Sequence, residues 1–188
     1  MYKERLKYYP GFPRRGVNFV DIIPLMHDKE VFRSLIGELG ALCASANIAA
    51  PEARGFLFAS PMLLACEGVD NIIPIRKKGK LPAEDGDLIG VSIHKEYGND
   101  QLFFRLSDIA AGTPSEDCFE VTFFDDVLAS GGTATGVAME MEKHSVTLPD
   151  GRTLPIRVKN FVFVVELDEL HGRDRLEKIA PVKALIHL

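Results

Sequence analysis

The chain predicts an α/β fold, a central and mainly parallel sheet flanked by helices. Three observations predict it. Stretches with apolar residues at helical spacing alternate with short β-branched or aromatic runs. One unit around residue 125 reads as strand, tight turn and helix. The whole, 188 residues with 46% apolar and 26% charged, has the size and composition of one compact domain and not of a disordered chain.

In chain order, Asp28 precedes Val31, Phe32, Leu35, Ile36, Leu39 and Leu42, so a helix capped by Asp28 is expected to run to about Asn47. A short strand near Ile48 comes next. Phe56 to Glu67 reads as a second, largely buried helix, and Asn71 to Ile75 as a buried strand. From Arg76 to Asn99 periodicity fails among Lys, Gly, Asp and Glu; loops of that length in small domains are functional or disordered, and we read this one as a lid. Gln101 to Leu106 and Cys118 to Phe124 read as strands, the second running into two aspartates and a Gly-rich turn before a helix over Thr133 to Lys143. Residues 145 to 158 flank Pro149-Asp150-Gly151, which predicts an exposed hairpin, and Asn160 to Glu166 is a further buried strand. A sheet of this kind holds ligands beyond the carboxyl ends of its strands.

Composition excludes several classes. A net charge of -5 leaves no basic footprint for nucleic acid or an anionic membrane, so a polyanion must be met by a local site. The segment Met1 to Pro10 is charged where a signal peptide needs an apolar run, and no stretch reaches the about 18 apolar residues that span a bilayer. A cytoplasmic protein is expected. Cys43, Cys66 and Cys118 are odd in number and widely spaced, which argues against a disulfide framework or a zinc cluster. No two of His27, His94, His144, His171 and His187 have metal-ligand spacing, and none is given a catalytic role.

The chemistry concentrates in Phe123-Phe124-Asp125-Asp126-Val127-Leu128-Ala129-Ser130-Gly131-Gly132-Thr133. Gly131 and Gly132 let the backbone come close to an anion, Ser130 and Thr133 offer hydroxyls, and a helix start directs unpaired N–H groups outward. A phosphate fits there. Adjacent carboxylates would repel it unless they accept hydrogen bonds from sugar hydroxyls or help hold a hydrated metal ion, and ribose 5-phosphate satisfies both needs. Glycine spacing of the dinucleotide-binding or P-loop type is absent. The reading fails if these acids lie buried in ion pairs, or point away from a cavity shared with Arg54.

This segment resembles the phosphoribosyl pyrophosphate (PRPP) signature of the type I phosphoribosyltransferases, an apolar strand, two acids, two apolar residues and Ala-Thr-Gly-Gly-Thr, with Ser130 in place of the usual Thr. The resemblance implies that family's fold, with a small amino-terminal base-binding hood over residues 1–27 and a mobile catalytic loop over about 76–99. It implies that Asp125 and Asp126 bind ribose hydroxyls and that Ala129, Ser130, Gly131, Gly132 and Thr133 wrap the 5-phosphate. Three further stretches resemble the adenine-specific members. Phe12-Pro13 to Gly16, Phe19, Asp21-Ile22 and Pro24-Leu25 look like their base-binding segment. Glu52-Ala53-Arg54-Gly55-Phe56 looks like their pyrophosphate loop, where a cis peptide is expected near Glu52-Ala53. Ile75 to Pro82 with Glu96-Tyr97-Gly98 looks like their catalytic loop, and Leu170, Gly172-Arg173 and Leu176 echo their carboxyl-terminal segment.

The activity that the resemblance implies is synthesis of AMP and pyrophosphate from adenine and PRPP, with Mg²⁺ held mainly by PRPP and water, in a homodimer. Arg54, Arg76, Lys77, Lys78 and Lys80 would take the charge of the diphosphate, and Glu96 would manage the proton. Phe19 and Val127 would wall the purine, with main-chain groups near Asn18 and Val20 reading its edge. Asn18 and Val20 themselves depart from the family's aliphatic and basic residues; the segment between Pro82 and Glu96 is longer than usual, and the hairpin over about 145–158 looks inserted. Two rivals stand beside this reading: transfer to xanthine, hypoxanthine or guanine, and a non-catalytic PRPP sensor.

Overall fold

The computed structural model describes residues 2–95 and 98–188. Eight strands form the main sheet in the order β10-β9-β7-β3-β4-β6-β5, with β8 on β9. Strands β3 (Asn47–Pro51), β4 (Asn71–Lys77), β7 (Phe119–Leu128), β9 (Thr153–Glu166) and β10 (Val182–His187) run parallel. Strand β6 (Gly98–Arg105) is antiparallel to β4, and β5 (Leu88–Lys95) to β6. A separate antiparallel pair, β1 (Lys7–Pro10) and β2 (Asn18–Asp21), occupies the amino-terminal region, with a cis bond at Phe12-Pro13 between them.

Helix α1 (Lys29–Leu42) begins as expected, the Asp28 carboxylate accepting from the amides of Glu30 and Val31 at 3.1 and 3.2 Å. It stops five residues short of Asn47, which opens β3. Helix α2 (Arg54–Ala65) lies beside α1, and Leu35, Leu39, Phe58 and Met62 pack with Phe124 and Val162 on one side of the sheet. On the other side α3 (Leu106–Ala110) and α4 (Gly132–Met141) cover Phe119, Val121 and Phe123. Strand β7 feeds both layers because successive side chains alternate across a strand, which is why its sequence is a nearly continuous apolar run. Among the described residues no helix is long and apolar enough to cross a membrane.

Two expectations need correcting. The supposed lid carries strand β5, whose Val91 and Ile93 are buried and whose partner is β6. Its period-2 pattern is short and flanked by charge, which hides it among polar neighbours; the turn region 78–87 is what remains irregular. The hairpin of β8 (Ser145–Thr147) with β9 is also no exposed appendage. Val146, Leu154, Ile156 and Val158 are buried in the core with α3, and β9 continues without a break into the central sheet.

Candidate active site

Strand β7 is longer than the sequence pattern predicts and carries Asp125 and Asp126 within its last residues rather than in the loop after it. The chain then turns through Ala129 and Ser130 to Gly131, whose φ of 73° is left-handed, a conformation that glycine adopts without steric cost. Helix α4 starts at Gly132 with no side-chain cap, so its first amides are left for a ligand. A cleft of about 770 Å³ opens here at the carboxyl end of the sheet, lined by Asp125, Val127 and the loop from Ala129 to Thr133. Its size is that of a small-molecule site.

The two acids do different things. Asp126 is buried and lies 2.7 Å from Arg54 Nε through its Oδ2, as an ion pair rather than an aligned hydrogen bond; that oxygen has no hydrogen-bond partner among the described residues. Asp125 accepts the Asp126 amide at 2.8 Å and faces the cleft. Loss of water around Asp125, and then the charge of Asp126, push its carboxyl well above the ordinary carboxylate range, with Arg54 pulling the other way. The condition set from sequence is therefore half met. One acid is in a buried ion pair, and Arg54 does not line the cleft; the other acid and the whole Gly-rich loop share it.

Arg54 opens α2, with its guanidinium 5.2 Å from the ring centre of Phe19 on β2, which in turn meets Phe12 edge-on at 5.2 Å. About a third of its side chain stays exposed, and a guanidinium has five donors, so the pair with Asp126 leaves others available. Gly55 beside it packs closely on the acid, since a Cβ there would stand 3.3 Å from Asp125 Oδ1 and would have to displace it slightly. The Glu52-Ala53 bond is cis, at the position the sequence pointed to. Arg76, expected among the lid cations, is held by Glu52 at 2.5 Å and lies over Phe56. That pairing, with the Lys77 amide, lowers the Glu52 carboxyl. Lys77 and Lys80 are exposed at the end of β4 and in the turn after it. Asn18 is exposed, whereas Val20 is buried in the core with Leu25 and Phe58 and turns no side chain to a ligand. Glu96 lies outside the described residues.

Sequence reasoning did not name several cleft residues, among them Arg14 from the β1–β2 connection, Ile93 from β5, Phe163 from β9 and Arg175 from the short helix α5 (Gly172–Leu176). Arg14 and Arg175 fall inside stretches that resemble the family without being the residues that carry the likeness, and Ile93 and Phe163 arrive from distant strands that no motif marks. It also missed that Glu166, Asp168 and His187 come within 4.8 Å of one another at the β9–β10 edge, where Glu166 is already committed to Arg173.

No family model matches the chain. Curated relatives do. The adenine phosphoribosyltransferase of Clostridium acetobutylicum is 36% identical over 177 residues, covering 93% of this chain and 91% of its own. Among solved structures, the adenine phosphoribosyltransferase of Thermoanaerobacter pseudethanolicus superposes with a TM-score of 0.80 at 31% identity, over 100% of this chain and 98% of that one. The Saccharomyces cerevisiae enzyme, complexed with an imino-altritol bisphosphate and adenine, gives a TM-score of 0.75 at 30% identity over 97% and 95%. With likeness of this extent in both sequence and fold, the chain belongs to the adenine phosphoribosyltransferase family.

Proposed function

We propose that this chain transfers the phosphoribosyl group of PRPP to N9 of adenine, forming AMP and releasing pyrophosphate. The observation that carries it is the single cleft joining Asp125 to the Gly-rich loop at the uncapped start of α4, an arrangement suited to a sugar phosphate. The yeast relative's complex with adenine favours this base over other purines.

In the reaction the N9–C1 bond forms as the bond from C1 to the pyrophosphate oxygen breaks, with inversion at C1, and the N9 proton leaves. Positive charge grows on the ring meanwhile. The loop amides with Ser130 and Thr133 hold the 5-phosphate, and Asp125 and Asp126 hold the ribose hydroxyls and favour the cationic ring. Arg54, the Glu52-Ala53 backbone, Lys77 and Lys80 face the diphosphate, with Arg76 held near by Glu52. The hood brings Phe19 over the base, Val127 lies opposite it, and Glu96 receives the proton. Oxygen donors suit Mg²⁺, and Asp126 Oδ2, ion-paired to Arg54 but without a hydrogen bond, would fit such a role at one remove, behind oxygens of PRPP and water. When bound, Mg²⁺ supplies charge neutralisation to the diphosphate. Homodimerisation belongs to the same reading and is supported by exposed leucines on α2, where Leu57, Leu63 and Leu64 face outward and Leu64 is 90% exposed.

The test is incubation with PRPP, Mg²⁺ and each of adenine, hypoxanthine, guanine and xanthine, with the nucleotide formed separated by chromatography. AMP should dominate. A protein that binds PRPP and makes no nucleotide, or one that prefers an oxopurine, overturns the reading.

A further inference from the structure

The Gly-rich loop supplies amides and hydroxyls but no charge, although a phosphate monoester brings close to two negative charges at neutral pH. Two arginines line the cleft, Arg14 from the β1–β2 connection and Arg175 on α5, and it is the second that stands against the loop. A Cβ built on Gly132 would lie 3.7 Å from Arg175 Nη1 and 3.8 Å from Ser130 Oγ, so the guanidinium and the hydroxyl flank the same space over the helix start. Arg175 lines the cleft, is exposed, and has no hydrogen bond or ion pair among the described residues.

Its placement is built. Neighbouring contacts of α5 fix the helix against the loop. A Cβ on Gly172 would collide with the Ala129 carbonyl and come 2.8 Å from Leu128 Cδ1 and 3.0 Å from the Gly131 amide, so only glycine permits this approach. Leu176 is fully buried beside Gly131. Arg173, two residues before Arg175, is consumed by structure. It pairs with both oxygens of Glu166 at 2.9 and 2.5 Å and with Glu177 at 3.1 Å, and donates to the Val182 carbonyl at 2.9 Å. Two arginines on one short helix thus have opposite fates, one satisfied by the protein and one left at the mouth of an anion cradle. An unpaired guanidinium beside preorganised amides recognises a phosphate through charge-assisted hydrogen bonds.

We propose that Arg175 is the charged wall of the 5-phosphate subsite and sets the affinity for phosphorylated ribose, an inference that rests on the reaction proposed above. Binding of ribose 5-phosphate and of pyrophosphate to wild type, Arg175→Ala and Arg175→Lys, measured by calorimetry, separates it from a general field effect. Arg175→Ala should weaken ribose 5-phosphate about tenfold and raise KM for PRPP to match, with pyrophosphate affinity unchanged within about twofold. Arg175→Lys should recover part of the loss, since a lysine keeps the charge without the planar fork. Unchanged ribose 5-phosphate binding, or equal weakening of both ligands, overturns the assignment. The exposed position predicts wild-type melting for the alanine variant; should it melt lower, Arg175→Gln carries the same comparison. Absence of AMP synthesis by wild type that still binds ribose 5-phosphate through Arg175 would sink the proposed reaction and leave this subsite standing.

Discussion

Toward the amino ends of β3 and β7 the buried polar side chains are matched, whereas at the carboxyl end of β7 polar atoms are left in want of partners. At the first end Ser45 donates to the Glu120 carbonyl at 2.6 Å, and the Asn47 amide group reaches the Thr113 and Glu120 carbonyls. Thr122 donates to Asn160 at 2.7 Å, and Asn160 donates to the Leu42 carbonyl at 2.8 Å. These bonds tie the α1–β3 turn to the middle of the sheet. At the second end Asp125 is forced upward in pKa, Asp126 Oδ2 has only an off-axis arginine, and α4 starts uncapped. The same strand is built for cohesion at one end and for a ligand at the other, since unmatched polar groups are stable only where a substrate completes them.

The comparison breaks first at the acids. Asp125→Asn with Asp126→Asn should lower kcat/KM for AMP synthesis by about a hundredfold to a thousandfold, because developing positive charge on the ring loses its stabilisation. Steady-state kinetics with both substrates varied would decide it, and activity near wild type would mean that the carboxyl end is not the site.

The opposite experiment is made at the amino end. Asn160→Ala strands the Leu42 carbonyl and takes the acceptor from the Thr122 hydroxyl, while the Ala44 amide keeps Thr122 Oγ1, so it should cost about 2 to 3 kcal/mol of stability in urea unfolding. Turnover by the folded protein at 25 °C should stay at the wild-type value. A variant of full stability, or one that loses activity as the acid variants do, would erase the distinction between the two ends.

Legibility in the sequence tracks distance along the chain. The cradle can be read because Phe123 to Thr133 is contiguous, and α1 because its cap and apolar stripe are local. The cis position at Glu52-Ala53 comes with the motif around it. The features that escape depend on pairing. Arg54 meets Asp126, and Arg175 meets the loop, across dozens of residues and through packing that no periodicity encodes. Strand β10 gives no signal of its own, for Val182 to His187 becomes a strand by lying against β9. Strand β5 reads as part of a lid because Val91 and Ile93 alternate over too short a run to stand out from its glycines and charges.

The finest test of the contrast uses Asp125 alone and reads stability against pH. Its carboxyl titrates above the unfolded value because of desolvation first and Asp126 second, so the native state binds the proton more tightly than the unfolded chain. Ionisation of this carboxyl in the folded protein therefore works against folding, and that penalty builds as pH rises above the ordinary carboxylate range. As pH falls through that pKa, the penalty is relieved. Asp125→Asn mimics the neutral acid and can still accept the Asp126 amide through Oδ1, so it should be more stable than wild type at pH 7. The advantage should shrink between pH 7 and the ordinary carboxylate range. Urea unfolding of both proteins at several pH values measures it. A variant less stable than wild type at pH 7, or an advantage that grows toward acid, would show that the protein does not hold Asp125 at a cost, and that the carboxyl end is as fully satisfied as the amino end.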